Sequence, residues 1–209
     1  TMVYEPKDDL FDNVASMVTG GEKALVIVEN GVKALHSEFP EATRIHNQAN
    51  VGIMPGWQQV LEHCQTEIVA LFHDDLRIEQ TDWDVVVLEA FDADPLLALV
   101  SFFGCPGVMS TGERGGVHKR LWAGLSNMSN AEQHGRRITK PRAIAVADSF
   151  SLILRRNMAE EMGGFDARFS PDHFYDYHLA LQFLARGYHN LVLPIRCTHA
   201  VNRSRHLPS

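Results

Sequence analysis

Along the first third of the chain, apolar runs alternate with amphipathic stretches, and this alternation predicts an α/β fold with a mostly parallel central sheet flanked by helices. Met2-Val3-Tyr4 reads as the tail of a strand, Asp8 to Val18 as a helix, and Ala24-Leu25-Val26-Ile27-Val28 as a strand rich in β-branched residues. After Asn50-Val51-Gly52, the residues Trp57, Val60, Leu61 and Cys64 fall at i, i+3, i+4 and i+7, the apolar stripe of a helix packed on that sheet. The run from Glu67 to Phe72 has the length and character of a strand covered on both faces, and it ends at His73-Asp74-Asp75. A helix over Asp84 to Phe91 stops before Pro95, and Leu96 to Phe103 reads as another buried strand.

From Gly104 to Arg142 the pattern dissolves into glycine, serine, asparagine and charge. Arg114, Lys119, Arg120, Arg136, Arg137, Lys140 and Arg142 stand there against only Glu113 and Glu132, which predicts a basic, flexible insert, either a lid or acceptor-contacting loop or a solvated excursion with no role. Within it, Val117 to Leu125, with Leu121 and Trp122, reads as a short helix packing back on the body. Ala143 to Leu154 is a strand candidate carrying Asp148 and Ser149. After Arg155-Arg156 comes a helical turn through Met162, ended by Gly163-Gly164 as a C-cap. Past Pro171, Asp172-His173-Phe174-Tyr175-Asp176-Tyr177-His178 leads into a helix with Leu179, Ala180, Phe183 and Leu184 on one face, ending at Gly187. Asn190 to Ile195 reads as the last strand, followed by Cys197-Thr198-His199.

Composition narrows the classes. A formal charge of -7 excludes a surface built throughout for nucleic acid or anionic membrane, leaving only local basic patches. Cys64, Cys105 and Cys197 are odd in number and lack CxxC spacing, which supports neither a disulfide framework nor a zinc knuckle and fits a reducing, cytoplasmic setting. No apolar run reaches the ~18 to 20 residues of a transmembrane segment, and the N-terminus lacks a signal-peptide core, so any membrane association is expected to be peripheral. A single domain over 1–209 is expected.

The strand end at His73-Asp74-Asp75 is where chemistry concentrates. In open α/β sheets the ligand crevice lies outside the carboxyl ends of the strands. Adjacent carboxylates there repel unless a cation or a ligand's donors absorb the charge, which points to a divalent metal carrying a phosphate-containing ligand. The alternative is a strand-to-loop turn in which the aspartates are caps. Asp176, at a helix N-terminus, also reads as a cap.

Six motifs in order, Val28-Glu29-Asn30-Gly31, Asn50-Val51-Gly52, His73-Asp74-Asp75, Gly163-Gly164-Phe165-Asp166, Tyr175-Asp176-Tyr177-His178-Leu179 and Cys197-Thr198-His199, resemble those of a family-2 glycosyltransferase with the glycosyltransferase-A fold. The resemblance covers nearly the whole chain, and rhamnosyltransferase-like members resemble the first ninety residues best. In such enzymes the first strand extends upstream of the position matching Tyr4, so the chain is expected to be trimmed at its start. The resemblance implies a nucleotide-sugar-binding half (1–103), the basic insert (104–142) and an acceptor-binding and catalytic half (143–209).

It also implies an inverting transfer from a nucleoside-diphosphate sugar, UDP being one carrier, to a hydroxyl of a glycan, lipid-linked, nucleic-acid or protein acceptor, with Mn²⁺ or Mg²⁺. Asp75 matches the last aspartate of the DxD motif and His199 a histidine that some members add as a second metal ligand. Asp176 matches the general base. Phe174, Tyr175 and Tyr177 are candidates to stack on sugar faces or to desolvate that carboxylate, and equally candidates for the core. Glu29 occupies the place of a residue contacting the base or ribose, and Asn50 with Gly52 the place where backbone approaches the donor. Arg203 and Arg205 would meet the donor diphosphate, and Trp122, Asp148 and Tyr175 the acceptor.

There are three departures. His73 replaces the first aspartate of DxD, Tyr175 the glutamate beside the base, and His178 an acidic residue two positions on. His73 remains able to hydrogen-bond a ribose hydroxyl, and Asp74 offers another carboxylate for the donor. The substitutions leave open a catalytically inactive module of the same fold that binds a glycan or partner. A nucleotidyltransferase would need a glycine-rich, arginine-bearing phosphate loop after the first strand, which Asp8-Asp9-Leu10-Phe11 does not provide.

Overall fold

Strand β1 (Met2–Val3) pairs in parallel with β2 (Val26–Asn30), and β2 in parallel with β3 (Thr43–Asn47). Met2 also bridges in parallel to His73, one residue past β4 (Ile68–Phe72). Strand β12 (Ser151–Arg155) pairs antiparallel with β4 on one side and with β6 (Leu97–Ser101) on the other. Beyond β6 lie β13 (His189–Val192), parallel to it, and β10 (Arg142–Ala143), antiparallel to β13. Thus β3, β2, β1, β4, β6 and β13 point one way and only β12 and β10 oppose them, the mostly parallel sheet that the alternation predicts. The computed structural model describes residues 1–3, 9–18, 24–31, 39–108, 124–130, 135–169 and 174–200.

Both faces of this sheet are covered, which explains why its central strands are apolar without polar alternation. On β4, Val69 and Leu71 join one core with Trp57, Val60 and Leu61 of α2 (Ile53–His63) and Leu179, Ala180 and Phe183 of α5 (Tyr175–Ala185). Ile68, Ala70 and Phe72 face a second core with Trp83, Val87 and Phe91 of α3 (Trp83–Ala93). Helix α1 (Leu10–Met17) packs Leu10 and Val14 against Val3 and Ile27. Burying one large apolar side chain contributes ~1.5–3 kcal/mol, so these two layers supply most of the drive for folding.

Several elements depart from the sequence reading. Strand β3 is an edge strand with a half-exposed polar sequence, Thr43-Arg44-Ile45-His46-Asn47, and so lacks the apolar signature of its neighbours. The single strand expected over Ala143 to Leu154 is broken into β10, β11 (Val146–Ala147) and β12, with a turn at 148–150. Leu96 to Phe103 likewise splits, because Ser101 Oγ donates to the Phe103 carbonyl and ends β6 before β7 (Phe103–Cys105) turns away to pair with β11. The Asn190 to Ile195 strand is not the last. β14 (Cys197–His199) follows it and pairs antiparallel with β5 (Leu76–Ile78). Leu184 is 38% exposed and leaves the face shared by Leu179, Ala180 and Phe183.

The segment expected to be a flexible insert is, in its described parts, tied into the body. Leu125 of β8 (Leu125–Ser126), Met128 and Ile138 are buried, β8 pairs with β7 and with β9 (Arg136–Arg137), and the Ser129 N–H donates to the Cys197 carbonyl. Trp122, and the short helix expected around it, lie outside the described residues apart from Gly124 and Leu125, and Leu125 is in strand β8.

Helix α4 (Arg156–Glu161) ends on the paired glycines, at φ +83° and +73°. A Cβ on Gly163 would meet nothing within 4 Å, whereas one on Gly164 would lie 2.3 Å from Gln58 Oε1, which accepts the Phe165 N–H at 3.0 Å. Gly163→Ala is expected to cost about 1–2 kcal/mol from left-handed backbone alone. Gly164→Ala is expected to cost about 1 kcal/mol more, because Gln58 must release that N–H. Urea denaturation of the two variants checks the ordering, and equal costs would show that the Gln58 contact contributes nothing.

Candidate active site

The carboxyl ends of β2 and β4 and the start of β12 lie on one edge of the sheet, and the candidate residues gather there. His73 leaves β4 and the chain turns at once into β5, whose pairing with β14 sets His199 opposite Leu76. This hairpin-like return brings His199 Nε2 to 3.0 Å from Asp75 Oδ1, with both side chains mostly buried. His73 joins them, so that one ligand atom from each of His73, Asp75 and His199 lies within 4.8 Å of the others. His73 was expected to serve the ribose and is instead part of this cluster, while Asp74 is not. The Asp74 carbonyl accepts from Asn13 Nδ2, which ties the turn to α1.

Aromatic rings fix the two imidazoles. The His199 ring stacks on Phe150 at 4.4 Å and 15° between planes, and the His73 ring lies 6.1 Å and 25° from Trp57. Burial, and then the neighbouring His199, push His73 down from its ordinary 6.5 to about 4, so at neutral pH it is an uncharged ring with a lone pair to donate. Its Nε2 is buried and has no hydrogen-bond partner among the described residues.

A three-residue turn joins this cluster to Asp176. The His73 N–H donates to the Phe150 carbonyl at 3.1 Å, and the Ser149 N–H donates to Asp176 Oδ2 at 3.0 Å. The other oxygen of Asp176 accepts the Tyr177 N–H at 2.9 Å, so the carboxylate is oriented by two backbone donors at the first turn of α5. It is 6% exposed. Asp148 Oδ1 accepts the Phe150 N–H, closing the turn, and its charge reaches His73. It was expected beside the acceptor and lies next to the cluster.

At the ends of β2 and β3 an amide network holds the loop before α2. Asn30 Nδ2 donates to Asn50 Oδ1 at 2.7 Å, the Val51 N–H to Asn30 Oδ1, and the Gly52 N–H to Asn50 Oδ1. Asn47 and Gln59 exchange two amide bonds at 3.0 Å. Gly52 takes φ +89°, which leaves an exposed turn free of Cβ where backbone can approach a ligand. Asn30, Asn47 and Gln59 were not among the candidates. Asn30 stood within a quoted motif, but nothing along the chain links Asn47 to Gln59.

Two expected contacts are corrected. Glu29 is 2% exposed, and its carboxylate is held by Arg44 at 2.9 Å and His46 at 3.3 Å, so it faces protein and not an open donor crevice. Tyr175 is 1% exposed and packs edge-on to Phe165 at 5.6 Å, which places it in the core and away from any acceptor. The exposed aromatic at this helix start is Phe174, at φ +64° and 51% exposed, edge-on to Tyr177. His178, in the place of an acidic residue, faces Asp166 at 3.9 Å. Arg203 and Arg205 lie outside the described residues. A cavity of about 400 Å³ at the opposite ends of β2 and β4 is lined mostly by apolar side chains and contains none of the candidates.

No family model matches the chain, and no curated protein does. Solved structures match along most of its length. A mannosyltransferase from Pyrobaculum calidifontis, in complex with GDP-Man and Mn²⁺, superposes with a TM-score of 0.65 at 16% identity over 98% of this chain and 56% of its own. The fold is that of a glycosyltransferase-A domain. GalNAc-T7, solved with UDP, GalNAc and Mn²⁺, matches with a TM-score of 0.63 at 11% identity, over 84% of this chain and 37% of its own. The glycosyltransferase-A domain described here thus spans little more than half the length of one neighbour and less of the other. Among its described residues, no helix is long and apolar enough to cross a membrane.

The buried His73 gives a pH prediction for the metal-free protein. Its folded value near 4 lies below the ordinary 6.5, so between these values the unfolded chain binds more protons. Stability is unaffected above that window and falls as pH drops through it, by up to about 3 kcal/mol. Urea midpoints measured from pH 7 to 4.5 in the presence of chelator should show this slope in wild type and lose most of it in His73→Gln.

Proposed function

We propose that this chain is a metal-dependent, inverting glycosyltransferase that moves a hexosyl or deoxyhexosyl group from a nucleoside-diphosphate sugar to an acceptor hydroxyl. The observation that carries this reading is the convergence, on one edge of a glycosyltransferase-A sheet, of the His73–Asp75–His199 cluster and a backbone-oriented Asp176 joined by a single turn. The order of motifs supports placement in family 2, with a rhamnosyltransferase-like first half. The neighbours solved with GDP-Man or UDP and Mn²⁺ support a nucleotide and a divalent ion as ligands.

The cluster fits such an ion by its donor set. Two imidazoles and a carboxylate, with His199 Nε2 3.0 Å from Asp75 Oδ1, are nitrogen and oxygen donors that would hold a divalent cation. Bound there, a divalent cation supplies charge neutralisation at the leaving diphosphate. Asp176 takes the proton from the acceptor hydroxyl, whose oxygen attacks the anomeric carbon as the bond to the diphosphate oxygen breaks on the opposite face, giving inversion. Asn50 and the Cβ-free turn at Gly52 present backbone to the donor. Arg203 and Arg205 meet the diphosphate, and the 104–142 segment with Trp122 faces a glycan, lipid-linked, nucleic-acid or protein acceptor. A cytoplasmic setting, peripheral to a membrane at most, accords with the cysteine usage.

A second reading, an inactive module that binds a glycan or partner, is favoured by the internal pairing of Glu29 and by the core position of Tyr175. Thermal shifts with UDP, GDP, dTDP and their sugar conjugates, with and without Mn²⁺, separate the two. The transferase reading expects a metal-dependent shift with one nucleotide that disappears in Asp75→Ala. No shift with any nucleotide selects the inactive module. Once a donor is found, Asp176→Asn should keep that shift and lower turnover by about 10²-fold or more. Undiminished turnover would remove Asp176 as the base.

A further inference from the structure

We propose that His73 is itself a metal ligand, and that the resulting two-imidazole, one-carboxylate set makes this a site for a first-row transition cation that discriminates against Mg²⁺. The inference rests on the metal-dependent reading above and goes beyond it by naming the ion class and the residue that selects it.

Three observations lead there. The His73 Nε2 is buried with no hydrogen-bond partner among the described residues, an unfavourable state unless something binds it. One ring nitrogen of His73 lies within 4.8 Å of ligand atoms on Asp75 and His199, close enough for all three to share one ion. Both rings are held from outside the cluster, His199 flat on Phe150 and His73 against Trp57, so neither has to be ordered when an ion arrives.

Selectivity follows from the donor atoms. Mg²⁺ is hard, prefers oxygen and gives up its waters reluctantly, so replacing two oxygens by imidazole nitrogen costs it affinity. Cations along the series Mn²⁺, Fe²⁺ and Co²⁺ bind nitrogen increasingly well, and a two-histidine, one-carboxylate face with open positions is a recognised transition-metal arrangement. The charge changes too. With one carboxylate among its ligands instead of two, the loaded site is less negative by one charge and attracts a diphosphate more strongly.

The test uses the metals alone on wild type, His73→Asp and His199→Asp. Titration calorimetry should give affinities rising from Mg²⁺ to Mn²⁺ to Co²⁺ in wild type, with Mg²⁺ weaker than Mn²⁺ by about tenfold or more. His73→Asp should narrow that ratio by a similar factor. Electron spin-echo modulation of the Mn²⁺-loaded protein should show nitrogen coupling from two imidazoles in wild type and from one in each variant. Equal Mg²⁺ and Mn²⁺ affinities, or a single coupled nitrogen in wild type, would overturn the proposal. The wild-type spectrum decides this even where a variant fails to fold. Two coupled nitrogens with no nucleotide shift would leave this inference standing and defeat the transferase reading. A nucleotide shift equally strong with Mg²⁺ would do the reverse.

Discussion

The candidate site depends on one turn, Asp148 to Phe150, at the head of the antiparallel strand β12. Its Phe150 carbonyl takes the His73 N–H, its Phe150 ring carries His199, and its Ser149 N–H orients Asp176. These contacts use backbone groups that would otherwise be unpaired at a strand end, so satisfying them and building the site are the same event. The turn is held in turn by β12, wedged between β4 and β6 with Leu152 and Leu154 in one core and Ile153 in the other. The geometry of the chemistry is therefore inherited from the packing of the sheet.

Charge is managed in the cluster by exchanging carboxylate for imidazole. Two buried carboxylates at this position would repel each other whenever no cation was present. An uncharged His73 removes that repulsion, and its buried Nε2 has no hydrogen-bond partner among the described residues. Elsewhere on the same edge, Glu29 is neutralised by Arg44 and His46, and the loop at Asn50 to Gly52 is held by neutral amides. This edge of the sheet is thus rigid without being strongly acidic.

Around Asp176, order comes from α5. Phe174 adopts a left-handed backbone at the residue before the helix, a conformation that costs a bulky side chain of order 1–3 kcal/mol and persists only where the surroundings enforce it. The consequence is local and visible. Asp176 is turned inward to the Ser149 N–H, Tyr175 is driven into the core against Phe165, and Phe174 is left exposed.

Hydrophobic periodicity by itself determined the layered fold, because strands buried on both faces must be apolar throughout and the helices covering them must carry a stripe. The elements over Trp57 to Cys64, Glu67 to Phe72 and Leu96 to Phe103 were legible for that reason, and motif order made Asp75, His199 and Asp176 legible as candidates. The half-exposed β3 and the three-residue β5 and β14 are too polar or too short to carry such a pattern, and the break at 148–150 is set by hydrogen bonds to distant residues. Only the tertiary structure decided that His73 joins Asp75 and His199, that Glu29 pairs with Arg44, and that Tyr175 is core while Phe174 is surface. Residues 73 and 199 meet because β14 returns to pair with β5, and a pairing between segments more than a hundred residues apart leaves no local trace in either.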